Sequence, residues 1–506
     1  MILTVPVVFA LAVGFGLLFT RTARSLGERL GLHDAPDGRR KTQARPVAVV
    51  GGLALLAAVP TALGVAALLL PEVAREFAGW GAKWAAVAAA CVVLAAVGAV
   101  DDRRNLRARY KLLGQLLAVA VLIVGGGYLI REVSAFGVTV PLGGLAVPFT
   151  LFWFVFAINA LNLLDGMDGM LGGVGVVLFL GLAAMAGVVG SGFAVLVSAA
   201  AAGGLVGFLR YNLPPATVYL GDCGSMLIGL TVGALAMDAS LKGPTFAVLA
   251  PLALLVLPAL DTTAAVVRRQ LTGRGLAVAD RGHLHHVLLR HGFSIPRVLL
   301  IVGGFGLLAA GGAVLSAYKK NDLIAVVAAV VVVATLIVYG LFGAAELRLI
   351  RARAGSALRK AAGGRGVDLE VRLQGTHAWG DVWRGIVHDA QSLDLTAVSL
   401  DVNAPAWHEG YHRRWQRAGA ADDPLTVWRV ELPLVAGGQV VGRLVVRGSR
   451  ADGCMAEKLA ALSAVVRETE RRLAASLPTG RPLPTSVVDH TPLPAESERI
   501  PPAVPM

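Results

Sequence analysis

The chain has 506 residues, 56% of them hydrophobic and 16% charged, with a mean hydropathy of +0.69. A soluble domain carries about 25% charged residues, so the composition excludes an ordinary soluble protein and points to a polytopic membrane protein. The excess of 46 basic over 33 acidic residues would suit nucleic acid, but the basic residues sit in short loops beside apolar spans, as membrane topology requires. No nucleic-acid partner is therefore expected. Cys91, Cys223 and Cys454 are too far apart in sequence to indicate a disulfide framework or a zinc site.

Spans of about 20 apolar residues are expected at 2–20, 46–70, 82–100, 112–130, 141–160, 170–190, 192–209, 219–238, 244–266, 297–317 and 323–343. That makes eleven, or ten if the two segments divided by Gly190-Ser191-Gly192 are one. No Lys or Arg precedes the first apolar run and a basic cluster follows it, the reverse of a secretory signal. The first span is thus retained with the N-terminus outside. Loops 21–45, 101–111 and 267–296 are rich in Arg and Lys, whereas loops 71–81, 131–140, 239–243 and 318–322 are not. The positive-inside rule places the basic loops, and everything after residue 343, in the cytoplasm.

Domain 1–345 is followed by a basic helical connector, 346–365. Residues 366–476 change character: strand-like runs 367–373, 396–402, 426–432 and 440–446 alternate with helix-like 380–393 and 455–475. This predicts a small soluble α+β domain, of GAF or PAS type by its order of elements. The Pro-rich tail 477–506 has no apolar periodicity and is expected to be disordered. The fold class is an all-α polytopic membrane protein with about 11 transmembrane helices and that C-terminal soluble domain.

Polar residues gather at the predicted cytoplasmic ends of the spans. Asn159, Asn162, Asp165 and Asp168 close an apolar stretch beginning at Val147, with Gly166 and Gly169 between and after them. A carboxylate near hydrocarbon costs several kcal/mol unless it meets water, a cation or a donor. A spacing of three puts Asn159, Asn162 and Asp165 on one helical face. Asp101-Asp102 follows another span, where an acid pair can bind metal, act as base, or cap the next helix. Asp222 stands in Tyr219-Leu-Gly-Asp-Cys-Gly-Ser225, at a helix start that favours an anion. The basic loop Asp280-Arg-Gly-His-Leu-His-His286 brings Arg281, His283, His285 and His286 together. Three His so spaced cannot all face one ion from a helix, so phosphate contact is expected rather than zinc. Carboxylate, amide and phosphate oxygens together suit Mg²⁺ or Mn²⁺. The set implies one lipid and one soluble phosphorylated substrate.

These motifs resemble those of the polyprenyl-phosphate N-acetylhexosamine-1-phosphate transferases, which are related to phospho-MurNAc-pentapeptide translocase. The resemblance covers about residues 1–343. It rests on Gly98-x-x-Asp101-Asp102 with Lys111-Leu-Leu-Gly-Gln115, and on Asn159-x-x-Asn162-x-x-Asp165-Gly166-x-Asp168-Gly169. Gly207-Phe-Leu-x-x-Asn212-x-x-Pro215, Gly221-Asp222-x-Gly224-Ser225 and His283-Leu-His-His286 complete it.

The resemblance implies Mg²⁺-dependent transfer of a sugar 1-phosphate, GlcNAc-1-phosphate above all, from a UDP-sugar to undecaprenyl phosphate, releasing UMP. That step initiates a lipid-linked envelope polysaccharide at the bacterial inner membrane. Asp222 and Asn162 would hold the metal, Asp165 and Asp168 would lie along the nucleotide pocket, and Tyr219 would lie near the uracil. Asp101 and Asp102 would position or deprotonate the lipid phosphate, and Lys111 would neutralise charge. The His run resembles the branch that takes UDP-GlcNAc-type donors. A homodimer is compatible with this reading. The first loop keeps Arg40-Lys41, Pro46 and Gly51-Gly52, but has Gln43, Ala48 and Val49 where the family pattern has His, Pro and Arg. The rival readings are an ion-coupled transporter, which should carry its acids at mid-span in repeated halves, and a degenerate scaffold acting through its C-terminal domain.

Overall fold

The computed structural model describes residues 3–34, 46–242, 245–272, 282–361, 368–374, 379–404, 409–417, 427–436, 439–449 and 455–476. These fall into two compact units, one reaching to Leu347 and one starting at Arg348. The first is a helical bundle: α1 (Thr4–Leu30), α2 (Gly51–Leu69), α3 (Pro71–Arg104), α4 (Ala108–Gly126), α5 (Ala146–Leu164), α6 (Met170–Val189) and α7 (Gly192–Asn212). It continues with α8 (Gly221–Asp238), α9 (Leu249–Leu254), α10 (Val256–Thr272), α11 (Leu284–Arg290), α12 (Ile295–Lys319) and α13 (Asp322–Val338). Among the described residues, eight helices are long and apolar enough to cross a membrane: α1, α2, α3 from Gly81 onward, α4, Gly143–Leu164, α6, α7 and α12. Such helices satisfy their backbone polar groups internally, as a hydrocarbon environment demands.

The other three expected spans coincide with helices outside that set. Of residues 219–238, Gly221–Asp238 form α8, which carries the polar Asp222 and Ser225 near its start and ends on Asp238. Residues 244–266 break at Leu255 into α9 and α10, where Pro258 has no N–H for the Leu254 carbonyl. Residues 323–343 lie largely in α13, which is apolar but 17 residues long. Helix α1 runs on to Leu30, so Arg21, Arg24 and Arg29 are helical rather than in a loop. Arg39, Arg40, Lys41, Gln43, Arg45, Arg274 and Arg281 lie outside the described residues.

The unit is not purely helical. Strands β1 (His33–Asp34) and β2 (Val47–Val49) pair antiparallel, and β2 pairs parallel with β5 (Val218–Tyr219). The departures Ala48 and Val49 thereby lie beside Val218 and Tyr219. Between these strands in sequence, β3 (Glu132–Ala135) and β4 (Val138–Pro141) form a hairpin. It joins β6 (Leu241–Lys242) and β7 (Thr245–Ala247) in a sheet of order β4-β3-β7-β6. Glycines draw helix backbones together: a Cβ on Gly16 of α1 would lie 2.5 Å from the Gly204 carbonyl oxygen of α7. Small residues do this where lipid offers no hydrophobic drive to association.

Helix α14 (Ala344–Ala361) leads onward. The second unit holds β8 (Asp368–Gln374), α15 (Gly380–Ser392), β9 (Leu395–Ala404), β10 (Glu409–Gln416), β11 (Val427–Ala436), β12 (Gln439–Ser449) and α16 (Met455–Ser476). Its antiparallel sheet has the order β11-β12-β9-β10-β8. Trp379 and Trp383 fill its core with Tyr411 and Leu400. Strand β10 escapes the sequence reading because Glu409–Gln416 shows no clean alternation; pairing on both edges, to β9 and β8, decides it. The tail 477–506 lies outside the described residues.

Candidate active site

The site is built where α3, α4, α5 and α8 end or begin together. A Cβ on Gly98 would fall 2.3 Å from Cys223 Cα, and one on Gly52 would fall 2.3 Å from the Gly224 nitrogen. Only hydrogen at these positions lets α2 and α3 touch the backbone of the first turn of α8. That contact puts the last turn of α3 against the start of α8. Asp102 Oδ1 accepts the Asp222 N–H at 2.7 Å, and Oδ2 accepts that of Cys223 at 3.3 Å. The acid pair does include a helix cap, but the capped helix is α8 and not the next one in sequence. The carboxylate satisfies two of the N–H groups that every helix leaves open at its N-terminus.

Lys111, in the first turn of α4, pairs with both Asp101 and Asp222, the latter at 3.0 Å. Asp101 is buried and also accepts the Leu106 N–H at 2.6 Å, which fixes the α3–α4 turn. From α5, Asn162 Nδ2 donates to Asp222 Oδ1 at 2.5 Å and to Ser225 Oγ at 2.8 Å. Asp101, Asp102, Lys111, Asn162 and Asp222 thus form one connected network drawn from four helices. Asn159, one turn back, pairs with Gln115 of α4 at 2.8 Å and packs helix to helix.

Asp165 departs from the expected helical face. It is the residue after α5, with ψ at 61°, and turns away from the line of Asn159 and Asn162. Burial, and then the Asp222 and Asp102 carboxylates, push its pKa up to about 7. Asp168 is pinned from the other side, Oδ2 accepting the Ala216 N–H at 2.8 Å. Asn212, at the end of α7, holds both flanks, accepting from Gly169 and donating to the Val218 carbonyl. Tyr219 follows on β5; burial, with Asp168 and Asp34 adding to it, pushes its hydroxyl up to about 12. Asp168 and Tyr219 therefore share one corner.

The His loop reaches the same place. His283 and His285 are buried and their rings stack, centroids 6.2 Å apart and 7° between planes. The His285 ring lies over Gly166, where a Cβ would meet Cε1 at 2.4 Å. Burial first, then its His neighbours, push His285 down to about 3, so it is a neutral imidazole and not a cation for phosphate. Among the described residues neither of its ring nitrogens has a partner. His286 is half-buried, 4.2 Å from His285. Arg281 lies outside the described residues.

Sequence reasoning missed Asp261, and it gave no role to Ser225 and Gln115, which it quoted only as motif positions. Asp261 is 1% exposed on α10 and holds His283. The available signal was an acid inside the expected span 244–266, since ionisable residues within spans default to functional roles.

Among the described residues no three His, Cys, Asp or Glu side chains converge as a metal cage. A hard cation of the Mg²⁺ class does not need one, because it binds through one or two carboxylates plus substrate phosphates and water. Asp222 with the Asn162 carboxamide fits that donor set.

The profile of glycosyl transferase family 4 matches residues 84–240, which carry the whole network. A decaprenyl-phosphate N-acetylglucosaminephosphotransferase of Mycolicibacterium smegmatis is 33% identical, over 58% of this chain and 78% of its own. The protein of that name in Mycobacterium tuberculosis is 33% identical, over 60% and 80%. An undecaprenyl-phosphate alpha-N-acetylglucosaminyl 1-phosphate transferase of Escherichia coli is 27% identical, over 60% and 82%. With this likeness and this network, the chain belongs to glycosyl transferase family 4 and is a phosphotransferase.

Proposed function

We propose that the protein transfers N-acetylglucosamine 1-phosphate from UDP-GlcNAc to undecaprenyl phosphate and releases UMP. The observation that carries this reading is the Asp101–Lys111–Asp222–Asn162 network, with Asp102 holding the first turn of α8. An acceptor phosphate oxygen attacks the β-phosphorus of the donor. The bond from that phosphorus to the bridging oxygen breaks, and UMP leaves with the electron pair. Asp222 and Asn162 would hold a Mg²⁺ or Mn²⁺ ion, which would supply charge neutralisation on the diphosphate. The remaining work is positioning. Lys111 has three N–H donors; two meet Asp101 and Asp222, and the third can meet a phosphate oxygen. A phosphate monoester is already largely ionised near neutral pH, and Asp102 is committed to two backbone N–H groups. Asp101 and Asp102 therefore act by orientation rather than as bases. Asp165, Asp168 and Tyr219 line the nucleotide side, and His283, His285 and His286 the phosphate side.

Eleven spans, an outside N-terminus, and the site and C-terminal unit in the cytoplasm of the bacterial inner membrane complete the proposal. Membranes carrying the protein, supplied with undecaprenyl phosphate, Mg²⁺ and a panel of UDP-sugars, are expected to release UMP from UDP-GlcNAc and to stop with EDTA. UMP from no UDP-sugar, or undiminished release in EDTA, overturns the proposal.

The unit after Arg348 we assign to regulation, with basal transfer independent of it. Arg268 is buried, its guanidinium lies under Gly282 beside His283, and it pairs with Glu346 of α14. A chain ending after Ala361 keeps Glu346 and is expected to keep basal UMP release. A chain ending after Gly343 removes one partner of a buried pair, a loss of about 3–5 kcal/mol, and is expected to lose most activity. Equal activity of the two truncations would refute the role given to Glu346.

A further inference from the structure

Asp261 is a carboxylate held almost wholly out of solvent on α10. Its Oδ2 meets His283 Nδ1 at 3.0 Å, and its Oδ1 accepts the Leu284 N–H at 2.8 Å. One carboxylate so fixes both the ring of His283 and the backbone that follows it. A carboxylate on Nδ1 selects the tautomer that carries its proton there, and presents Nε2 as the atom left to work. The arrangement continues outward: His283 stacks on His285, and His285 rests on Gly166, the neighbour of Asp165. A contiguous chain of contacts thereby runs from α10 to the α5–α6 turn.

We propose that Asp261 is a positioning residue for the transfer: it holds His283 so that Nε2 meets the diphosphate of the nucleotide-sugar donor. This rests on the reading that His283 touches the donor. Asp261 itself does not; it sits behind the imidazole and acts through it. Asn at this position keeps the shape and can still accept the Leu284 N–H, but the atom it then turns to Nδ1 is an amide N–H donor, so the ring must carry its proton on Nε2 instead.

The test is a double-mutant cycle in the full-length protein, reading kcat and KM for UDP-GlcNAc at saturating undecaprenyl phosphate, with thermal melting alongside. Asp261→Asn is expected to lower kcat/KM for the donor about 10- to 100-fold, as for one lost charge-assisted hydrogen bond, while KM for undecaprenyl phosphate, read separately at saturating UDP-GlcNAc, stays put. His283→Gln is expected to do the same, and the double variant no worse than either single one, because both remove one interaction. Additive losses in the double variant, or a fall in melting temperature with unchanged donor kinetics, make Asp261 merely structural and overturn the proposal. An inert His283→Gln instead sinks the reading of His283 as a donor contact, whatever Asp261→Asn does. Should Asp261→Asn not fold, Asp261→Glu goes through the same cycle under the same criteria.

Discussion

Asp222→Ala is expected to abolish UMP release, a fall of about 10³-fold or more, on the scale of removing a preorganised electrostatic group from an active site. Asp222 is where the network converges: Lys111 reaches Oδ2 and Asn162 reaches Oδ1. Removing the carboxylate takes away the charge that Lys111 and the proposed cation share. The fold should persist, because Lys111 keeps Asp101, and Asp102 keeps backbone N–H groups that alanine also possesses. The measurement is UMP release by purified protein with a thermal melt to show folding. A folded Asp222→Ala protein within tenfold of wild type removes Asp222 from the site.

Gly98→Ala should do comparable damage without touching a charged group. Its new Cβ would meet Cys223 Cα at 2.3 Å, Cys223 N at 2.5 Å and Asp222 C at 2.9 Å. All three are backbone atoms, so no side chain can rotate away. Carbon atoms pack at about 3.5–4.0 Å, so α3 and α8 must separate by more than 1 Å. The 2.7 Å bond from the Asp222 N–H to Asp102 cannot survive that. Overpacking costs about 1–3 kcal/mol, and a misplacement of about 1 Å can cost 10²-fold in rate. The expected result is a lower melting temperature together with at least a hundredfold loss of UMP release. Gly64→Ala, where nothing lies within 4 Å, is the matched control and should be silent. Near-wild-type activity in Gly98→Ala would mean that contact of α3 with α8 does not set the site.

These two variants separate what the motif residues do as chemistry from what they do as architecture. Asp222 acts through its charge. Gly98 acts through the hydrogen that stands where others have Cβ. Asp102 belongs to both kinds, since its carboxylate is spent on the backbone of α8 and thereby aims Asp222 at Lys111 and Asn162.

The sequence by itself determined the membrane character and singled out the polar residues that the structure joins in one network. Apolar runs report burial in hydrocarbon directly, and acids at their ends are too costly to keep without use. Asp101, Asp102, Asn162 and Asp222 stood out for that reason, as polar groups at span ends, and Lys111 through the resemblance alone. The second unit was legible in part, since β9, β11 and β12 alternate and β10 does not. Partnership was decided only by the tertiary structure. Nothing local says that Asp102 caps a helix 120 residues away, that His285 rests on Gly166, or that a lone acid in α10 holds His283. Periodicity records which face of a helix is buried, whereas hydrogen-bond partners depend on how helices far apart in the chain pack. The turn after α5 shows the limit most plainly. A spacing of three aligns Asp165 with Asn162 only while the helix lasts, and the helix ends at Leu164.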